Sequence, residues 1–328
     1  MNDAVFHTKN LSQYSFLVTG GAGFIGSHIV EYLLNHGAAK VRVLDNYSTG
    51  SKNNIEAFLK NNAFEFFEGD ICNPSDCKKA AEGINFILHQ AALGSVPRSV
   101  ANPIDTHQIN VTGFLNMLIA SRDAGVTRFI FASSSSVYGD SLLLPKSEDK
   151  IGNPLSPYAV SKLSNELYAH VFALNYKMEI IGLRYFNVFG PRQSPDGPYA
   201  AAIPLFMKAA LENKSPVIFG DGNQTRDFTF VENAVQANIK SLFAKKEAVG
   251  QIFNVAAGNK ISVNQLNTYI KKIAGTRMEP TYQNPRPGEV KDSLANISKA
   301  EKLLEYKVNS NFEECLKVTF DWFKIQNS

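Results

Sequence analysis

The chain has 328 residues, 44% of them hydrophobic, which is enough to bury a full core as one large domain or two closely joined ones. Its 33 basic and 30 acidic residues leave a formal charge of +3 with no block of like charges, so neither a nucleic-acid footprint nor a membrane-surface footprint is expected. No apolar run reaches the ~18–20 residues that span a bilayer, and the start of the chain lacks the basic-then-apolar layout of a signal peptide, which favours a cytoplasmic protein.

From Ser15 onward, short apolar runs alternate with amphipathic ones. SFLVTG reads as a strand and FIGSHIVEYLLNHG as a helix; VRVLDN, FEFFEGD, INFILHQAA, RFIFASSSS and EIIGLRYF follow as strands. Helix-length crossovers between strands that are apolar throughout imply a parallel sheet covered on both faces. The expected fold is therefore α/β, a Rossmann-type doubly wound parallel sheet with a smaller C-terminal substrate-binding domain. Residues 104–124 and 156–175 have the length and periodicity of helices laid on that sheet. After Arg184 the texture turns rich in Pro and Gly, as in FNVFGPRQSPDGPYAAAIP and NPRPGEVKDS, which favours loops over a cleft rather than further sheet. Short helices are expected over 203–212, 232–243, 262–274, 298–306 and 312–323. The domain division drawn from this is 1–185 with 228–258 for the nucleotide-binding part, and 186–227 with 259–328 for the substrate-binding part. Cys72, Cys77 and Cys315 form no CxxC pair and have no histidine at metal-ligand spacing, so they read as reduced packing thiols and no metal is expected.

Gly20, Gly23 and Gly26 in TGGAGFIGSHIV follow a strand and open a helix, the setting a dinucleotide-binding turn requires. Gly20 permits the tight turn, Gly23 the approach of backbone to pyrophosphate, and Gly26 the close packing of helix on strand. Phe24 and Ile25 then lie at the helix N-terminus, which faces the phosphates. Asp45 ends the next strand 19 residues after Gly26, where a carboxylate accepts from the adenosine ribose and repels a 2′-phosphate. NAD rather than NADP is expected, with Asn46 beside Asp45, Asp70 and Ile71 near the adenine, and Gln90, Ala91 and Ala92 further along.

Tyr158 and Lys162 in SPYAVSK stand on one face of a helix. A free phenol titrates near 10, so acting as a base at neutral pH needs a shift of roughly three units, about 4 kcal/mol. The Lys162 ammonium and the positive nicotinamide ring are the expected sources, with Tyr158 and Lys162 both bordering the cofactor. The run Ser133–Ser136 follows the strand RFIFA, where hydroxyls point into the ligand crevice of such a sheet.

Taken together, TGGAGFIG, Asp45, SSSSVYG, YAVSK, LRYFNVFGPR and RPGEV resemble the extended short-chain dehydrogenases/reductases that modify nucleotide sugars, over nearly the whole chain from Phe16. Dehydratases and decarboxylases of that family place Glu, often after Asp, immediately before V-Y-G; this chain has Ser135 and Ser136. Without a carboxylic acid/base pair the keto-sugar has no group to drive elimination, so epimerisation remains. GSVPRS, SSSSVYGD, GNPLSPYA and FNVFGPRQ look most like the bacterial UDP-N-acetylglucosamine 4-epimerases. The resemblance implies Ser134, Tyr158 and Lys162 as catalytic residues. It implies Gly94, Ser95, Ser135 and Ser136 at the hexose, and Asn187, Gln193, Arg226 and Arg286 as substrate and UDP contacts. Seven residues after Arg286, galactose-type relatives carry a bulky Tyr, whereas Ser293 here leaves room for an N-acetyl group. A homodimer built from the helices of 104–124 and 156–175 is implied by the same analogy. Epimerisation of UDP-N-acetylglucosaminuronic acid or of UDP-glucose, and a non-catalytic NAD-binding regulator, are the alternatives.

Overall fold

The computed structural model describes residues 4–196, 200–285, 291–308 and 310–326. Seven parallel strands form the central sheet: β1 (Ser15–Thr19), β2 (Lys40–Asp45), β3 (Phe64–Glu68), β4 (Phe86–His89), β5 (Arg128–Ser134), β6 (Ile180–Tyr185) and β11 (Ile252–Val255), in the order β11-β6-β5-β4-β1-β2-β3. Winding reverses between β1 and β4, so a crevice opens at their carboxyl ends, the place where ligands bind in such sheets. Thr19 pairs with His89 there, and its hydroxyl lies 2.8 Å from the His89 ring.

The strands are apolar because both faces are covered. On β5, Ile130 and Ala132 face one core with α1 (Phe24–Asn35) and α8 (Val231–Leu242), while Phe129 and Phe131 face the other with α2 (Pro74–Ala81), α5 (Gly113–Asp123) and α6 (Pro157–Tyr176). A third cluster, around Phe189, Met207, Leu266 and Phe320, joins α7 (Ala202–Leu211), α9 (Val263–Ala274) and α11 (Phe312–Gln326). Near the N-terminus, Phe6 stacks on Tyr32 at 5.3 Å and Leu11 is buried in the first core.

Two expectations needed correction. The Pro- and Gly-rich region does contribute to the sheet: β11 adds its seventh strand beside β6, too short and too far along the chain for its periodicity to be noticed. Short ladders also form there, pairing β7 (Val188–Phe189) with β10 (Thr229–Phe230), β9 (Thr225–Arg226) with β12 (Ile261–Ser262), and β8 (Val217–Phe219) with β13 (Thr281–Gln283). Residues 104–124 are not one α-helix: α3 (Val96–Ala101) and α4 (Pro103–His107) lead into a π-helical turn, Gln108–Thr112, before α5. Asn110, inside that turn, hydrogen-bonds to the Leu93 backbone and to Ser161.

Candidate active site

The crevice at the β1/β4 switch point is a cleft of about 710 Å³. At its floor the chain turns at Gly20 (φ +68°), and Gly26 packs so closely that a Cβ there would sit 2.1 Å from the Gly20 carbonyl oxygen. Gly23 caps α1 with no side-chain hydrogen bond, which leaves the helix N–H groups and positive dipole end, at Phe24 and Ile25, to the cleft. The Asp45 carboxylate is aimed by two backbone N–H donors, Ala22 at 2.9 Å and Tyr47 at 2.8 Å. Burial raises its carboxyl above the usual range while those donors pull it down. Asn46 donates to Asp70 at 3.1 Å, and Ile71 lines the cleft beside them. Ala91 and Ala92 continue the wall from Gln90, whose side chain is locked in a ring: Tyr185 Oη donates to Gln90 Oε1 (3.0 Å), Gln90 Nε2 to Asn238 (3.0 Å), and Asn238 back to Tyr185 (2.6 Å).

Across the cleft, α6 starts where Ser156 accepts from the Ala159 N–H at 3.1 Å and Pro157 occupies the first turn. Tyr158 therefore lies at the positive end of a 20-residue helix, which favours a phenolate. Its hydroxyl faces that of Ser134, at the end of β5, which draws the phenol down. One turn on, Lys162 donates to the Ala132 carbonyl at 2.8 Å, with its ammonium 5.9 Å from the Tyr158 ring centre. Burial lowers Lys162 to about 8, the Glu166 carboxylate pulling the other way. Burial also raises the Tyr158 phenol, with Ser134 opposing, so the expected lowering by Lys162 is not reached by the protein alone.

The other candidate positions meet at the same cleft. Gly94 and Ser95 border it, Ser95 at φ 95°, a strained backbone for a non-glycine residue. Ser135 and Ser136 line it, and the buried Ser136 hydroxyl has no partner among the described residues. Asn187 donates to the Asp227 carbonyl (3.1 Å) and Gln193 to that of Val188 (3.1 Å), and the buried Gln193 Oε1 has no partner among the described residues. Arg226 and Ser293 complete the rim; the Ser293 N–H donates to the Thr225 carbonyl at 3.2 Å. A second cavity of about 290 Å³ shares Asn187, Gln193 and Arg226 and is walled by Phe206, Ile218 and Phe228. Arg286 lies outside the described residues.

Residues 16–256 match the model of the NAD dependent epimerase/dehydratase family. The chain belongs to that family. Among solved structures, it is similar to the UDP-glucose 4-epimerase of Thermotoga maritima, at 36% identity and TM-score 0.90, covering 96% of this chain and 100% of that one. A UDP-N-acetylglucosamine 4-epimerase from Methanobrevibacter ruminantium M1, solved with UDP-N-acetylmuramic acid, shares 39% identity at TM-score 0.89 over 95% and 99%. The UDP-glucuronic acid 4-epimerase of Bacillus cereus, solved with UDP-glucuronic acid and NAD, shares 35% at TM-score 0.89 over 95% and 99%.

NAD is the cofactor of this epimerase/dehydratase chain, and the residues fit it. The tight turn at Gly20 with Gly26 packed against it, the uncapped α1 and the aimed Asp45 carboxylate form a cradle for a pyrophosphate and an unphosphorylated ribose. Several supporting residues escaped the sequence reading. Asn110, 1% exposed, donates to Ser161 (3.1 Å) and to the Leu93 carbonyl (3.0 Å) and accepts the Leu93 N–H (2.8 Å), so it ties the loop of Gly94 to α6. A polar residue on the apolar face of an otherwise regular helix was the available signal. Gln90's partners Tyr185 and Asn238, the Lys146 ammonium, and the Glu166–Arg184 pair behind Ser133 offered no local pattern.

Proposed function

We propose that the protein is a UDP-hexose 4-epimerase whose preferred pair is UDP-N-acetylglucosamine and UDP-N-acetylgalactosamine. The observation that carries this is the hydroxyl-only wall opposite Tyr158: Ser134, Ser135 and Ser136 offer no carboxylic acid to drive elimination, so a keto-sugar formed there can only be reduced again. Ser134 steadies the Tyr158 oxygen, and Tyr158 as phenolate takes the proton of the sugar 4-hydroxyl. Lys162 holds its positive charge beside that oxygen and keeps Tyr158 in place through the Ala132 carbonyl. NAD⁺ held by the Gly20–Gly26 turn and Asp45 would supply the acceptor and donor of the C4 hydride and a positive ring charge that favours the phenolate. Arg226 and Gln193 at the rim, with Arg286, hold the nucleotide while the keto-hexose turns over. Tyr158 then returns its proton to the oxygen of the inverted carbon. Binding the remote nucleotide while freeing the reacting ring is what this chemistry requires. The apolar side cavity suits the uracil ring, and the single hydroxymethyl of Ser293 supports room for a C2 acetamido group.

The division into a nucleotide-binding part (1–185 with 228–258) and a substrate-binding part is proposed on the same footing. So is a homodimer: Val160, Leu167, Val171 and Leu174 form an exposed apolar stripe at heptad spacing along α6, beside exposed Ile104 on α4, and a second copy of this chain would cover it.

A uronic-acid substrate is the second reading, and Lys146 favours it. Its ammonium is buried against the cleft and donates to the Ser141 carbonyl, and no carboxylate pairs with it among the described residues. Incubation with UDP-N-acetylglucosamine, UDP-glucose and UDP-N-acetylglucosaminuronic acid, followed by NMR, separates the readings. Fastest inversion of the neutral acetylated sugar supports the proposal. A tenfold preference for the uronic acid, lost in Lys146→Met, would replace it with the second.

A further inference from the structure

Behind the serine wall lies a buried carboxylate that the chemistry above does not use. Glu166 is two turns along α6 from Tyr158 and one from Lys162, on the same face. Its Oε1 accepts from Ser133 Oγ (2.5 Å) and Arg184 Nε (2.9 Å), and its Oε2 from Arg184 Nη2 (2.7 Å). The guanidinium reaches back from β6, donates to the Glu148 carbonyl (3.1 Å) and sits 4.8 Å from the Tyr138 ring centre. Two successive turns of α6 thus grip adjacent residues at the end of β5, Lys162 holding Ala132 and Glu166 holding Ser133, while Tyr158 one turn earlier faces Ser134.

We propose that Glu166, clamped by Arg184, is a positioning residue: its grip on Ser133 keeps the end of β5 in register with Tyr158, and its charge, balanced by Arg184, sets the pH window in which Tyr158 and Lys162 work. Among the described residues Glu166 is the one carboxylate acting on Lys162, and its attraction opposes the burial that otherwise discharges the ammonium. The other groups around the site leave this balance in charge. His89 of β4 is buried, lowered to about 3, and therefore neutral. Burial raises Tyr185 of β6, and it raises Tyr138, in the turn after β5, to about 12, so both are neutral as well. Glu148 and Lys299 surround Arg184 with opposite signs.

Breaking the pair from either side uncovers a unit charge roughly 11 Å along the helix from Tyr158 and 5 Å from Lys162, worth about one pH unit at Tyr158 and about two at Lys162 at an effective dielectric near 20. The signs are opposite. Glu166→Gln leaves a bare guanidinium, which stabilises phenolate and discharges ammonium, so the acid limb of kcat/KM moves to lower pH. Arg184→Gln leaves a bare carboxylate and moves it to higher pH. In the double variant Glu166→Gln with Arg184→Met the limb returns to its wild-type position. Two readouts are taken on the NAD-bound protein: the pH profile of epimerisation, and the phenolate's ultraviolet difference absorbance after subtraction of the Tyr158→Phe variant. The first rests on the epimerase reading and the second does not, so absent turnover with shifted absorbance would sink that reading and keep this proposal. Shifts of the same sign in both single variants, or none in either, would overturn it, since a purely structural pair predicts no opposed shifts. Ser133→Ala disturbs no charge: it is expected to lower kcat several-fold with the pH window kept. Wild-type kcat in that variant would overturn the positioning role even if the charge variants fail to fold.

Discussion

Replacing Gly26 by alanine sets two effects of known size against each other. Gly26 lies in the first turn of α1, where alanine's helix propensity favours the variant by ~0.8–1 kcal/mol. The new Cβ would sit 2.1 Å from the Gly20 carbonyl oxygen, 2.8 Å from its carbon and 2.9 Å from the Gly21 Cα. Ordinary contact begins beyond ~3.4 Å, so helix and turn must part by about 1 Å, and all three atoms are backbone that cannot rotate away. Overpacking of this kind costs ~1–3 kcal/mol or more, and the upper end applies here. The clash wins: the expected result is a net loss of about 2 kcal/mol and a melting temperature lower by several degrees. The same 1 Å draws the α1 N–H groups away from the pyrophosphate. Hydrogen bonds to a charged group are worth ~1.5–3 kcal/mol, so NAD affinity, measured by calorimetry, should fall at least tenfold. Gly94→Ala is the control, since its Cβ would meet nothing within 4 Å and the fold should melt as before. A Gly26→Ala protein that melts no lower and binds NAD within twofold of wild type would refute the close-packing argument.

Three further outcomes follow from named groups. Asp45→Ala removes the carboxylate that Ala22 and Tyr47 aim at the ribose, so NAD should bind about tenfold more weakly and NADP measurably better; unchanged discrimination in a fluorescence titration would remove Asp45 from that role. His89 is held neutral by burial, at about 3 against an ordinary 6.5. Between these values the unfolded chain binds the extra proton, so stability should fall as pH drops below about 6.5, by up to ~1.4 kcal/mol per unit. Urea midpoints read this slope, which His89→Asn should flatten. Leu167→Glu charges the exposed stripe of α6, 61% exposed at that residue, and should convert a dimer to a monomer in sedimentation; a wild-type monomer at micromolar concentration would dispose of the dimer.

The sheet was legible because its central strands β1, β4, β5 and β6 are buried on both faces and read as nearly continuous apolar runs, from SFLVT to IIGLRY. Edge strand β11 was missed: its four residues follow a helix in a stretch of different texture, and pairing with β6 joins segments some 70 residues apart, a contact no local pattern encodes. The first shell of the site was legible for a related reason. Glycine turns, a strand-end aspartate and a Tyr–Lys pair at helical spacing are local arrangements whose chemistry fixes their sequence form. All of the expected site residues within the described chain reach one cleft. What lay hidden was the layer beneath. Asn110, Asn238, Glu166 and Arg184 act through partners brought close by folding, and nothing adjacent to each in the chain announces a partner. Helical spacing puts Lys162 close to Tyr158 and says nothing about burial, which raises the phenol.

The most direct test of the central claim is NMR of UDP-N-acetylglucosamine incubated with the purified protein and its Tyr158→Phe variant. The 4-epimer is expected to appear up to a fixed ratio with no net consumption of NAD, and the rate to fall at least a hundredfold in the variant. Inversion that persists unchanged without the Tyr158 hydroxyl, or a dehydrated product in place of the epimer, would contradict that claim.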